Sequence, residues 1–216
     1  MSVNLIKVNT LQEIKKNKVI AVIRAETPDK ALEFAEGCIK GGLKLIEVTF
    51  SFLRAEIVIA ELSKTDDVIV GAGTVLDADM AVSALDSGAS FLVSPHTDQD
   101  IIDVAMSKRV PTIQGALTSS EIVNAWKLGV DMVKVFPVSA VGGPQYIKAI
   151  KEAIPFAEIM TTGGVNYDNF LDYIKAGASA VGLSSAFLGA DKKIKLETVI
   201  ENTKKIVQKL STLQEG

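Results

Sequence analysis

The sequence predicts an α/β fold, a single (β/α)8 TIM barrel with a short N-terminal helix. Three observations carry this. A phrase recurs four times along the chain, further β-branched runs lie between the recurrences, and 216 residues suit one such domain with a large core. The phrase starts at Lys40, Asp86, Lys127 and Lys175. Each copy reads as a helix end, a glycine, a small apolar residue, a polar residue and a buried strand. The glycine suits the left-handed position that closes a helix. A period of roughly forty to fifty residues also occurs in helical solenoids, but here each period has room for two βα units.

In chain order, Thr10 to Asn17 suggest the leading helix, and Val19-Ile20-Ala21-Val22-Ile23, within Lys18 to Arg24, the first strand. Thr27 is placed to cap a second helix with Pro28 at its first position, and Gly41-Gly42 end it. Leu45 to Thr49 form strand two, Val68 to Ala72 strand three, Ser90 to Pro95 strand four and Pro111 to Ile113 strand five. Asp131 to Pro137 form strand six, Glu158 to Met160 strand seven and Ser179 to Ser184 strand eight, with a last helix from Leu196 to Leu210. Strands alternating with helices imply parallel pairing, and eight units in one chain favour closure. No linker or change of composition divides the chain, so residues 1–216 read as one domain.

Composition narrows the function classes. Hydrophobic residues make up 48% and charged residues 23%, as in soluble globular proteins. With a net charge of −3 and no basic patch, nucleic acid is not an expected partner. Anionic substrates remain open, because backbone amides at helix starts bind phosphate without global positive charge. No stretch is apolar for long enough to span a bilayer, and the N-terminus lacks the pattern of a signal peptide, so no membrane partner and a cytoplasmic location are expected. The single cysteine, Cys38, excludes an internal disulfide. A single histidine, His96, leaves no His/Cys zinc site within one chain, so no metal is expected.

Two side chains interrupt the apolar strands. Lys134 sits in the middle of strand six, where an ammonium is costly unless paired or discharged. It either reaches a sheet edge or an acid, or it stays neutral and acts as a nucleophile toward carbonyl carbon. Glu47 interrupts strand two. An internal ion pair with Lys134 and no other role is one reading, but buried pairs stabilise poorly, and use of both groups in chemistry is the more economical one. Ionised Glu47 would raise the lysine pKa while burial lowers it, and the sequence leaves the balance open. The remaining polar residues at strand ends are Arg24, Thr49, Thr74, Ser94, Pro95 with His96, Gln114 and Ser184-Ser185. Thr162-Gly163-Gly164 and Gly182-Leu183-Ser184 follow strands seven and eight, where barrels often bind phosphate.

As an ordered set, Ile46-Glu47-Val48-Thr49, Gly71-Ala72-Gly73-Thr74-Val75, Val93-Ser94-Pro95, Val133-Lys134-Val135-Phe136-Pro137, Gly142-Gly143 and Thr162-Gly163-Gly164 resemble the 2-keto-3-deoxy-6-phosphogluconate (KDPG) / 4-hydroxy-2-oxoglutarate (KHG) aldolase family of class I aldolases. The resemblance covers nearly the whole chain. It implies Lys134 as Schiff-base lysine, Glu47 as general acid/base and Thr74 as a substrate-positioning hydroxyl. It also implies phosphate contacts from Thr162, Gly163, Gly164 and Ser184, substrate contact from Pro95, no cofactor beyond the lysine imine, a small 2-keto acid substrate carrying phosphate, and a homotrimer.

There are departures. Ser51 stands where many members carry the arginine that meets the pyruvyl carboxylate, Thr161 replaces the usual proline before Thr-Gly-Gly, and Gln114 replaces a proline before Gly115. Arg24 with His96 resembles another set of members, which suggests that Arg24 takes the carboxylate. For His96, a loop-ordering hydrogen bond and a substrate contact are equal alternatives. The galactonate epimer as substrate, or a non-catalytic sugar-phosphate-binding barrel, are the alternative readings.

Overall fold

Parallel strands alternate with helices from Val19 to Ser211, and the strands close on themselves in sequence order. The structure, a computed structural model, describes residues 3–213. The strands are β1 Val19–Ile23, β2 Leu45–Thr49, β3 Ile69–Gly73, β4 Leu92–Val93, β5 Thr112–Ala116, β6 Met132–Val135, β7 Ile159–Thr161 and β8 Ala180–Leu183. Each pairs with its neighbour in parallel, and β8 pairs with β1. The helices are α1 Val3–Asn17, α2 Pro28–Lys40, α3 Ala55–Leu62, α4 Ala78–Asp86, α5 Gln99–Lys108, α6 Ser119–Lys127, α7 Pro144–Ala153, α8 Phe170–Lys175 and α9 Leu196–Ser211.

Period-two alternation sorts the strand residues into two cores. Inside the barrel, Ile20, Leu45, Phe91, Ile113, Met132 and Met160 pack together over Ile14 of α1, which closes the N-terminal end. Outside, strand residues such as Val19, Val48 and Val181 meet Phe34, Ile59, Ile147 and Val199 of the helices. Thr27 caps α2 as expected, its hydroxyl accepting from the Lys30 amide at 3.3 Å. Among the described residues no helix is long and apolar enough to cross a membrane.

Three expectations need correction. The leading helix starts at Val3 rather than Thr10. Leu5, Ile6 and Val8 are exposed, so residues 5–9 bury no apolar stripe, and the Lys7–Asp131 ion pair at 2.8 Å ties this part of the helix to the barrel instead. Strand four shortens to two residues. Strand five runs on to Ala116, which places Gln114 inside it rather than at its end. Gln114 is fully buried. Its amide donates to Thr112 Oγ1 at 2.6 Å, and its carbonyl accepts from the Asp98 amide at 3.4 Å. Sharing a face with Thr112 and meeting the cap residue of α5, it supports that helix on the side away from the barrel axis.

Candidate active site

Lys134 follows Met132 by two residues in β6, so its side chain enters the barrel one layer above the inner core. In the same layer, Glu47 of β2 places Oε1 4.0 Å from Lys134 Nζ, with the two side chains 0% and 4% exposed. Neither carboxyl oxygen of Glu47 has a hydrogen-bond partner among the described residues. At 4.0 Å the pair is not hydrogen-bonded, so attraction offsets only part of the desolvation cost. Burial therefore dominates both groups. It pulls the Lys134 pKa down, against the raising influence of Glu47, and the Arg24 charge pulls it down further. It pushes the Glu47 pKa up, against the lowering influence of Lys134 and Arg24. Both move toward their uncharged forms, an amine that can attack and a carboxyl that can give a proton. The opposition left open by the sequence is thus decided by burial.

A pair kept at such a cost is expected to trade stability for chemistry. The nearly isosteric double variant Glu47→Met/Lys134→Met should fold and gain up to about 4 kcal/mol over the wild type, read from urea unfolding midpoints. A loss of stability would mean that the pair holds the barrel together.

Above the pair opens a cleft of about 360 Å³ lined by Lys134, Arg24, Phe136, Thr162, Gly163, Gly164, Ser184 and their neighbours. Arg24 follows β1 on the face of Ile20 and Val22, is exposed, and makes no ion pair among the described residues. Gly163 and Gly164 adopt φ of 82° and 88°, which side chains rarely tolerate, and the turn over Val138–Val141 braces them. The Ser139 amide donates to Gly163 O at 3.1 Å, and the Val138 amide to Thr162 O at 2.9 Å. The amides of Gly163, Gly164, Ser184 and Ser185 donate to no protein acceptor among the described residues, and the Thr162 hydroxyl is buried without a partner. Unpaired donors around a concave surface are what an anion needs.

The structure does not bring all the candidates into this cleft. Pro95 and His96 line a second one of about 360 Å³, with Gly115, Leu117 and Asn124, and Phe136 borders both. His96 Nδ1 lies 3.0 Å from Ser94 Oγ, the loop-ordering contact of the two alternatives. Thr74 lies at the end of β3 with φ 57°, an outlier for a β-branched residue and a mark of local strain. It lines neither cleft. Ser51 Oγ lies 2.6 Å from Thr49 Oγ1, which donates to Ile23 O. Val22 and Val165 form part of the cleft wall, and neither carries a charge or motif that marks it in the sequence. Val22 was within reach, since it lies two residues before Arg24 on the same strand face. Among the described residues no three His, Cys, Asp or Glu side chains converge as a metal centre would need.

The family model for KDPG and KHG aldolase matches residues 11–205. A 2-dehydro-3-deoxy-phosphogluconate aldolase of Treponema pallidum is 31% identical over 168 residues, which cover 77% of this chain and 80% of that protein. A 2-dehydro-3-deoxy-6-phosphogalactonate aldolase of Escherichia coli is 31% identical over 182 residues, 83% of this chain and 88% of that one. The crystal structure of a KDPG aldolase from Legionella pneumophila, with pyruvate captured as a covalent carbinolamine intermediate, superposes with a TM-score of 0.81 at 26% identity, covering 95% of this chain and 98% of that one. By fold, by the buried Lys134–Glu47 pair and by these matches, the chain belongs to the KDPG and KHG aldolase family.

Proposed function

We propose that the protein is a class I aldolase that cleaves KDPG to pyruvate and glyceraldehyde 3-phosphate, 4-hydroxy-2-oxoglutarate to pyruvate and glyoxylate, or both. The observation that carries this reading is the buried Lys134, 4.0 Å from the buried carboxyl of Glu47, at the floor of an anion-suited cleft. The neutral Lys134 amine attacks the C2 ketone. Glu47 gives the ketone oxygen a proton and takes one from the attached nitrogen to form the carbinolamine, then passes it to the hydroxyl, which leaves as water to give the iminium. The Glu47 carboxylate takes the C4 hydroxyl proton, the C3–C4 bond breaks, and its electron pair moves into the iminium to give an enamine. The aldehyde leaves, Glu47 returns the proton to C3 to regenerate an iminium, and hydrolysis frees pyruvate and neutral Lys134 with the remaining proton back on Glu47. No metal or further cofactor takes part.

In this reading the substrate phosphate is held by Thr162, Gly163, Gly164 and Ser184, and Thr74 positions the substrate. Pro95 and His96 contact it from beyond Phe136. Arg24 takes the carboxylate in place of the arginine absent at Ser51. Arg24→Ala is then expected to raise the KM for pyruvate in the condensation direction roughly 10- to 100-fold with a much smaller change in kcat. An unchanged KM rejects that role. The equal identity to a phosphogluconate and a phosphogalactonate aldolase keeps the C4 epimer as a second reading. Pyruvate release from the two phosphorylated epimers and from 4-hydroxy-2-oxoglutarate, measured side by side, tests the assignment, and no release from any of them refutes it. The same reading places the enzyme in the cytoplasm as a homotrimer, in keeping with the exposed apolar Leu53, Ile57, Leu76 and Val82 on and beside α3 and α4.

A further inference from the structure

We propose that Gly73 is a positioning residue for the proton-transfer step, acting by the side chain it lacks. The inference rests on the catalytic reading of Glu47. On β3, Gly71 and Gly73 lie two residues apart and share the inward face of the barrel, so they leave two successive gaps in its wall. The Phe91 ring fills the gap at Gly71. The Glu47 carboxyl fills the gap at Gly73. A Cβ on residue 73 would stand 2.6 Å from both Glu47 Cγ and Cδ and closer still to Oε1, distances that real Cβ atoms do not show.

The backbone does not require glycine here. Gly73 is not among the glycines with positive φ, unlike Gly163 and Gly164 of the same site, so alanine is conformationally acceptable in the strand. Glu47 is the obstacle, and it is the flexible one. It forms no hydrogen bond that would hold it, and the gap at Gly71 is already taken. A methyl group at residue 73 therefore displaces the carboxyl from its place 4.0 Å from Lys134 Nζ. The barrel survives, and the acid/base group loses its alignment. Gly73 thus sets the spacing of the pair without touching substrate.

The test is a double-mutant cycle between Gly73→Ala and Glu47→Ala, read as kcat for pyruvate release and as the rate of borohydride trapping with pyruvate. Gly73→Ala in the wild-type background is expected to lower kcat about 10²-fold, the scale of an ångström-sized misplacement of a reacting group. It should still yield the trapped pyruvate adduct. In the Glu47→Ala background, where the space is clear, the same substitution should cost nothing further. Equal losses in both backgrounds, or wild-type kcat in the single variant, overturn the proposal. If Gly73→Ala alone is too unstable to assay, recovery of its melting temperature in the double variant supports the proposal, and failure of both to fold overturns it. Should the wild type release no pyruvate, the catalytic reading fails, while the melting comparison still decides whether Gly73 makes room for Glu47.

Discussion

Replacing Lys134 by methionine is expected to abolish cleavage, with kcat falling roughly 10⁴-fold or more. Methionine keeps most of the side-chain volume and removes only the nitrogen that would bond C2. Because burial already drives Glu47 toward its protonated form, loss of the amine strands no obligatory charge, and the variant should fold with a cooperative melt at or above that of the wild type. The measurement is pyruvate release at saturating substrate, paired with a thermal melt. A folded variant with turnover within tenfold of the wild type would show that Lys134 is a structural lysine and that the chemistry lies elsewhere.

Glu47→Gln is expected to lower kcat by about 10² to 10⁴, the usual range for loss of a general acid/base. Glutamine fills the same space beside Gly73 but cannot exchange the proton. The substitution also carries a signed pH signature. In the wild type, kcat/KM falls as pH drops through the lowered Lys134 pKa, because the ammonium form cannot attack. Whatever fraction of Glu47 is ionised opposes that lowering, so a glutamine, which carries no charge at any pH, lets the lysine value fall further. The acid limb of the kcat/KM profile should then move to lower pH in the variant. The two groups titrate as a coupled pair, so the comparison is between whole profiles. A movement of the limb to higher pH would contradict the burial account of the site.

The central pair was legible in the sequence because Lys134 and Glu47 are each a lone charge inside an apolar strand, where burial and charge conflict. The barrel was legible because helix-ending glycines and buried strands recur in phase. Less could be read where local pattern does not set the outcome. Residues 5–9 of α1 bury almost nothing, so no buried face sets a helical period there. Gln114-Gly115 read as a strand end because a polar residue and a glycine suggest a turn. Buried partners at Thr112 and Asp98 carry the strand through them. Pro95 and His96 line a different cleft from Lys134, with Phe136 bordering both, an arrangement set by side-chain packing rather than residue order. The sign of the lysine shift needed the depth of burial and the 4.0 Å separation together. The reason for Gly73 needed the position of the carboxyl beside it.

Reduction with borohydride in the presence of pyruvate, followed by peptide mass mapping, bears most directly on the chemistry. The expected result is one pyruvyl-lysine adduct per chain, on the peptide that holds Lys134, formed in step with loss of activity. An adduct on any other lysine, or inactivation-free turnover with no adduct at all, would contradict a covalent role for the amine inside the barrel.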